Sequence, residues 1–149
     1  MITGLSHVSI VVPDLEAAAA RLKQVYGLGT GEPLVNEQQG VRLAYVELPN
    51  ARIELMQPLR PDSPVGKFLE RNPKGGIHHF CLGVESVDAT VTAVAAEGTT
   101  VLGDGKLQIN VHGERIAFIH PKDFLGALVE LEEKSGTDPD FPVKHGGST

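Results

Sequence analysis

Apolar residues fall in short blocks along this chain, each ended by a proline, a glycine or a small polar residue suited to capping a helix. Residues 5–12 are rich in valine and isoleucine and read as a strand; Pro13 ends it, and Asp14 offers an N-cap for a helix from Leu15 to Val25. Gly27 and Gly29 stop that helix. Residues 41–48 and 51–57 are β-rich runs on either side of Pro49 and Asn50, which predicts an antiparallel hairpin. Ser63 and Pro64 supply the cap and first position of a short helix over residues 65–70, and residues 72–76 form a linker. A second strand over 78–84 then leads to a helix capped by Ser86 or Asp88, running through Val94 and closed by Gly98. A second hairpin follows, from 115–120 and 126–132, turning at Pro121, Lys122 and Asp123.

The second half thus repeats the first, and the residues repeat with the elements. His7 to Ala17 aligns with His79 to Ala89 at an offset of 72, and Ile53 to Met56 aligns with Val129 to Glu132 at an offset of 76. Two modules, at about 5–60 and 77–133, are joined by a helix at about 63–71. Residues 135–149 lose this periodicity and gather Gly, Pro, Asp and Ser, the composition of a flexible tail, so a single domain is expected over 1–134.

At 149 residues and 41% hydrophobic, the chain is long enough for one core. Thirteen basic against nineteen acidic residues, a net charge of −6, argue against a nucleic-acid partner, which would need clustered Lys and Arg. Cys81 is the single cysteine and has no intramolecular partner, and the start lacks a basic segment followed by an apolar one, so a reducing, cytoplasmic setting is expected. The longest apolar run near the N-terminus falls far short of the ~20 residues that cross a bilayer, so no membrane association is expected.

Strand alternation puts His7, Ser9 and Val11 on one face, and His79, Cys81 and Gly83 on the equivalent face of the second module. Phe80, Leu82 and Val84 face the other way, towards the helices. Small residues beside each histidine leave room for a cavity. Glu54 and Glu130 interrupt apolar strands at matched positions, and burying either without a partner is costly. One histidine on a strand is ordinarily a hydrogen-bonded core residue, and one glutamate in an alternating strand ordinarily meets solvent. The twofold pattern changes the balance: His7, Glu54, His79 and Glu130 form a matched set that one divalent cation would neutralise. His78 aligns with Ser6 and falls by alternation on the opposite face, which assigns it a structural role. His112 and His120 fall at loops or strand ends, and Cys81 has no base beside it.

These segments resemble the vicinal oxygen chelate superfamily, also called the glyoxalase/bleomycin resistance/dioxygenase superfamily. A closer resemblance, to methylmalonyl-CoA epimerases, lies in residues 7–16, 53–59, 62–82 and 118–133. The string DSPVGKFLERNPKGGIHHFCL at 62–82 is its specific part. The resemblance implies an α+β fold in which two βαβββ modules pair into a cup-shaped mixed sheet with helices outside. It carries the family's metal ligands onto His7, Glu54, His79 and Glu130, and implies one divalent ion, with cobalt the first choice over manganese, nickel, zinc or ferrous iron. It further implies an epimerase that interconverts the 2R and 2S forms of methylmalonyl-CoA by α-proton abstraction through a metal-stabilised enolate, with an acyl-CoA as partner and a homodimer as the assembly.

Glu130 is the catalytic base the resemblance implies. In some family members a second acid/base carboxylate follows a Gly-Val pair in the hairpin, but here Gly40 and Val41 lead to Leu43 at that position. Glu47, on the same strand face, is the substitute candidate. Some epimerases carry glutamine where Glu54 stands. The glycine-rich loop family members carry before Gly113 is replaced by residues 107–110, Leu-Gln-Ile-Asn. Lys67, Arg71, Lys74, Lys106, Arg115 and Lys122 are cations available to CoA phosphates. The alternatives are another metalloenzyme on this scaffold, a glyoxalase-type lyase or a dioxygenase, and a non-catalytic small-molecule-binding protein.

Overall fold

The computed structural model describes residues 1–134; the tail expected at 135–149 lies outside the described residues. The first module contains strand β1 (Ile2–Val11), helix α1 (Leu15–Tyr26), and strands β2 (Leu34–Asn36), β3 (Val41–Glu47) and β4 (Arg52–Pro58). Helix α2 (Pro64–Arg71) connects it to the second, which contains β5 (Gly76–Val84), α3 (Val87–Ala96), β6 (Gln108–Ile109), β7 (Arg115–Ile119) and β8 (Val129–Glu133).

The caps act as their chemistry dictates. Asp14 accepts from the Ala17 amide at the start of α1, and Gly27 ends that helix with φ +69°, a left-handed conformation that costs glycine little. Ser63 accepts from the Gly66 amide ahead of Pro64, and Ser86 rather than Asp88 caps α3 by accepting from the Ala89 amide.

All eight strands form one curled sheet in the order β2-β3-β4-β1-β5-β8-β7-β6. Read from either edge to the centre, the two modules are in the same order, so a pseudo-twofold axis passes between β1 and β5. The register states the same symmetry residue by residue. His7 faces Cys81 and Ser9 faces His79 across β1 and β5, while Ser9 lies beside Glu54 and Cys81 beside Glu130 across the parallel pairs. β2 and β6, of three and two residues, were not separately located from sequence, being too short to carry a hydrophobic period. β8 starts at Val129 rather than 126 because Leu125 (φ +56°) and Gly126 (φ +88°) make a left-handed turn that extended backbone cannot continue.

Helices α1 and α3 cover the convex side of the cup. Leu15, Ala44 and Leu55 pack with Ile10, Val12 and Leu22 under α1, and Val84, Val87, Ala117, Val129 and Leu131 pack with Phe80 and Leu82 under α3. A third cluster of Val11, Val41, Leu43, Met56 and Val65 is joined by Val111 from the second module. Each fully buried Val or Leu stabilises such a core by about 1.5–3 kcal/mol. That third cluster shares the concave strand face with His7 and Glu54 and is covered by α2, so the concave side is aliphatic under α2 and polar around His7, Glu54, His79 and Glu130. Among the described residues, no helix is long and apolar enough to cross a membrane.

Candidate metal and active site

The structure brings His7, Glu54, His79 and Glu130 together. They stand on β1, β4, β5 and β8, the four central strands, all facing the concave side and all buried. Ligand atoms of His7, Glu54 and His79 lie within 4.8 Å of one another. Glu130 Oε2 is 2.9 Å from His79 Nε2 and 3.3 Å from His7 Nε2. Ser9, wholly buried between them, donates its hydroxyl to Glu54 Oε1 at 2.7 Å and lies 3.0 Å from His79 Nε2.

Donor chemistry and one orphaned atom fit this cluster to a divalent cation. Two imidazole nitrogens with two carboxylates are the N/O set that first-row divalent metals take. His7 Nε2 is a buried polar atom whose one acceptor, Glu130 Oε2 at 3.3 Å, is too far or too poorly aligned for a well-formed hydrogen bond, a costly state that a bound cation would relieve.

Electrostatics in the metal-free protein follow from the same crowding. Burial alone would raise the Glu130 carboxyl, but contact with His7 and His79 and their positive charge outweigh it and hold it down to about 2. Burial alone would lower His7, yet Glu130, with the nearby carboxylates of Glu54 and Glu132, raises it. Burial pushes the Tyr45 phenol far up, helped by the Glu54 charge, so its proton stays on. The Cys81 thiol is likewise pushed up by burial and the charge of Glu130.

Several residues here escaped the sequence reading. Glu132 is buried, accepts from the Ser6 hydroxyl at 2.9 Å and from Asn110 Nδ2 at 3.1 Å, and is raised by burial and by the charge of Glu130. Its position two after Glu130 puts it on the same strand face, a signal available in the alternation. Its repeat partner is Met56, so the repeat did not flag it. Tyr45 stands over His7 with ring centroids 6.3 Å apart, and its hydroxyl lies 3.3 Å from His112 Nε2, linking β3 to the turn before β7 across the mouth.

His78 corrects the alternation argument. Its ring lies 5.1 Å from that of His79, with the two Nδ1 atoms 2.8 Å apart, and packs edge-on against Phe68. Burial, then the neighbouring His79, lower its pKa to about 4, so it is neutral at ordinary pH. The reason is a β-bulge. Ser9 pairs with His79 and Ile10 with Ile77, so one step on β1 spans two on β5 and His78 is the extra residue. The mirror event occurs where Leu5 pairs with Leu82 and His7 with Cys81, leaving Ser6 as the extra residue of β1. Bulged strands do not alternate strictly.

Glu47 is not brought to the site. It ends β3 at the surface, where Arg52, its register partner on β4, binds its carboxylate through Nε at 2.8 Å. Leu43, 2% exposed, lines the cavity instead, so that wall is aliphatic. The cavity over the four residues has a free volume of about 20 Å³ and is closed by Asn36, Gln39, Tyr45, Asn110, Val111 and Phe118. A larger cavity of about 580 Å³ beside Pro13, Gln57, Arg60 and Glu70 contains none of the four. The six candidate cations for CoA are all exposed; Arg115 is ion-paired with Asp88.

Residues 6–118 match the family described as the Glyoxalase/Bleomycin resistance protein/Dioxygenase superfamily. The chain belongs to that superfamily. Among its relatives within the superfamily, an ethylmalonyl-CoA/methylmalonyl-CoA epimerase of Cereibacter sphaeroides is 48% identical over 133 residues, covering 89% of this chain and 99% of the relative. A Streptomyces coelicolor methylmalonyl-CoA epimerase variant, solved in complex with 2-nitronate-propionyl-CoA, superposes with a TM-score of 0.83 at 35% identity, covering 91% of this chain and 96% of that one. A methylmalonyl-CoA epimerase solved with methylmalonyl-CoA and ammonium gives the same TM-score, identity and coverage. The superfamily fold expected from sequence is therefore the fold found.

Proposed function

We propose that this chain is an epimerase of methylmalonyl-CoA that uses one divalent cation held by His7, Glu54, His79 and Glu130. The activity rests on likeness to methylmalonyl-CoA epimerases along nearly their whole length. The observation that supports the metal reading is the convergence of two buried histidines and two buried carboxylates from four adjacent strands, with His7 Nε2 making no well-formed hydrogen bond beyond its 3.3 Å contact with Glu130.

The α-proton of a methylmalonyl thioester is weakly acidic, and its removal leaves charge on the thioester oxygen. A cation bound here supplies a Lewis acid for that charge, an effect worth several kcal/mol. The remaining chemistry belongs to the chain. Glu130, kept ionised by His7 and His79, is the carboxylate placed to accept the proton, and loosening of those contacts would restore the basicity they take from it. His7 and His79 hold its carboxylate from the strand side, which fixes where it is presented. Leu43, Val111 and Phe118 make the opposite walls apolar and exclude water from a carbanion. Tyr45 and the 110–113 turn form the rim over this cavity, joined by the 3.3 Å contact between the Tyr45 hydroxyl and His112 Nε2.

Cobalt is the first metal to test. A cytoplasmic homodimer belongs to the same proposal; exposed Ile2, Leu5 and Ile77 at the centre of the sheet support self-association, which light scattering in solution tests. The function itself is tested by following one C2 epimer of methylmalonyl-CoA on a chiral separation. Conversion to both epimers by cobalt-loaded but not chelator-treated protein supports it, and no conversion with any divalent metal overturns it.

A further inference from the structure

Ser6 and His78 occupy equivalent places in the two modules, each the residue before a histidine of the metal-binding set and each the extra residue of a β-bulge. A bulge turns two consecutive side chains towards one side of the sheet, which regular alternation forbids. Both neighbours consequently touch the Nδ1 atom of the following histidine: Ser6 Oγ lies 3.1 Å from His7 Nδ1, and His78 Nδ1 lies 2.8 Å from His79 Nδ1.

The hydrogen-bond directions decide what these contacts do. Ser6 donates its only proton to Glu132 Oε1 at 2.9 Å, so towards His7 it presents a lone pair. Glu132 is kept as the acceptor by Asn110, whose Nδ2 donates to its other oxygen at 3.1 Å. Ser6 Oγ therefore accepts from His7 Nδ1, which in the neutral imidazole leaves Nε2 as the lone-pair nitrogen that a cation would take. Between His78 and His79, one Nδ1 must donate and the other accept. A His79 that binds a cation through Nε2 holds its proton on Nδ1, which makes His78 the acceptor.

We infer that the twin bulges are a positioning device: Ser6 and His78 accept the Nδ1 protons of His7 and His79, and thereby select the tautomer and ring orientation that present Nε2 of each to the cation. Ligand histidines commonly give the second ring proton to a carboxylate, a carbonyl or water. In this chain the preceding residue in the same strand takes that part, and a histidine does so in one module. The inference rests on the proposed metal site.

The test is cobalt binding, measured by calorimetry and by the visible spectrum of the bound ion, for wild type, His78→Phe, His78→Asn and Ser6→Ala. Asparagine keeps an acceptor near the place of Nδ1, whereas phenylalanine keeps ring volume without one. Affinity is expected to fall by about 10–100-fold in His78→Phe and Ser6→Ala, the usual effect of losing such a partner, and to recover in His78→Asn. In zinc-loaded wild type, the two Nδ1 protons are expected as slowly exchanging low-field proton resonances, one lost in each variant. A His78→Phe protein that folds, binds cobalt as wild type does and keeps both resonances overturns the inference. If His78→Phe fails to fold, Ser6→Ala decides by the same readouts. A wild type that binds no cobalt overturns the metal site itself, a distinct result.

Discussion

Glu130 Oε2 and His79 Nε2 lie 2.9 Å apart on the neighbouring parallel strands β8 and β5, both buried in the concave face. In the metal-free protein this contact, with the parallel one to His7, makes stability depend on pH. Glu130 sits below its ordinary 4.5, so its contribution is complete above 4.5 and is lost as pH falls towards about 2. His7 sits above its ordinary 6.5, so its contribution is complete below 6.5 and is lost as pH rises through the raised value. Glu132, raised above 4.5, adds a loss that starts there. Urea midpoints of chelator-treated protein are expected to be higher near pH 5 than near about pH 8, with the decline shallower in Glu130→Gln. A midpoint that climbs over this range contradicts the assignment.

Glu54 holds the Ser9 hydroxyl and adds the second charge to the site. Glu54→Gln keeps the shape and removes the charge. Cobalt affinity is expected to drop by at least the roughly 10-fold seen for changes beside a metal, with folding intact by circular dichroism. Affinity equal to wild type would show that the charge of Glu54 adds nothing to holding the cation.

Glu130 and Glu47 separate the two carboxylates put forward as acid/base groups. Glu130→Gln is expected to lower turnover by about 10²–10⁴-fold, the range for a lost general base. Glu47→Ala, which removes only a surface pair with Arg52, is expected to leave kcat and KM near wild type. A large kcat loss in Glu47→Ala would return it to the mechanism.

Gly75 joins the linker to β5 with φ +83°, and a Cβ there would stand 2.2 Å from the Val11 carbonyl oxygen. Gly75→Ala therefore combines a strained backbone with a clash against β1, next to where the modules meet. Destabilisation of at least about 1–3 kcal/mol is expected from thermal or urea unfolding, and an unchanged midpoint would contradict the close approach.

The duplicated fold and the four central residues were legible because their offsets of 72 and 76 are nearly equal, and strand alternation holds where they lie. His78 was misplaced because alternation fails at a bulge, and a bulge follows from pairing register, which a single strand does not display. Glu47 had the right strand face but the wrong end of the strand: Tyr45, two residues earlier, already reaches the rim. The partnership of Tyr45 with His112 joins residues 67 apart through the curl of the sheet, and no local pattern encodes it.

The most direct test of the account is deuterium incorporation at C2 of a single methylmalonyl-CoA epimer in deuterium oxide, read by NMR with chelator-treated and cobalt-reloaded protein. Incorporation that appears on reloading and is abolished in Glu130→Gln is the expected result. Incorporation that is equally fast without metal, or undiminished in Glu130→Gln, would contradict the assignment of these four residues to a metal-assisted proton abstraction.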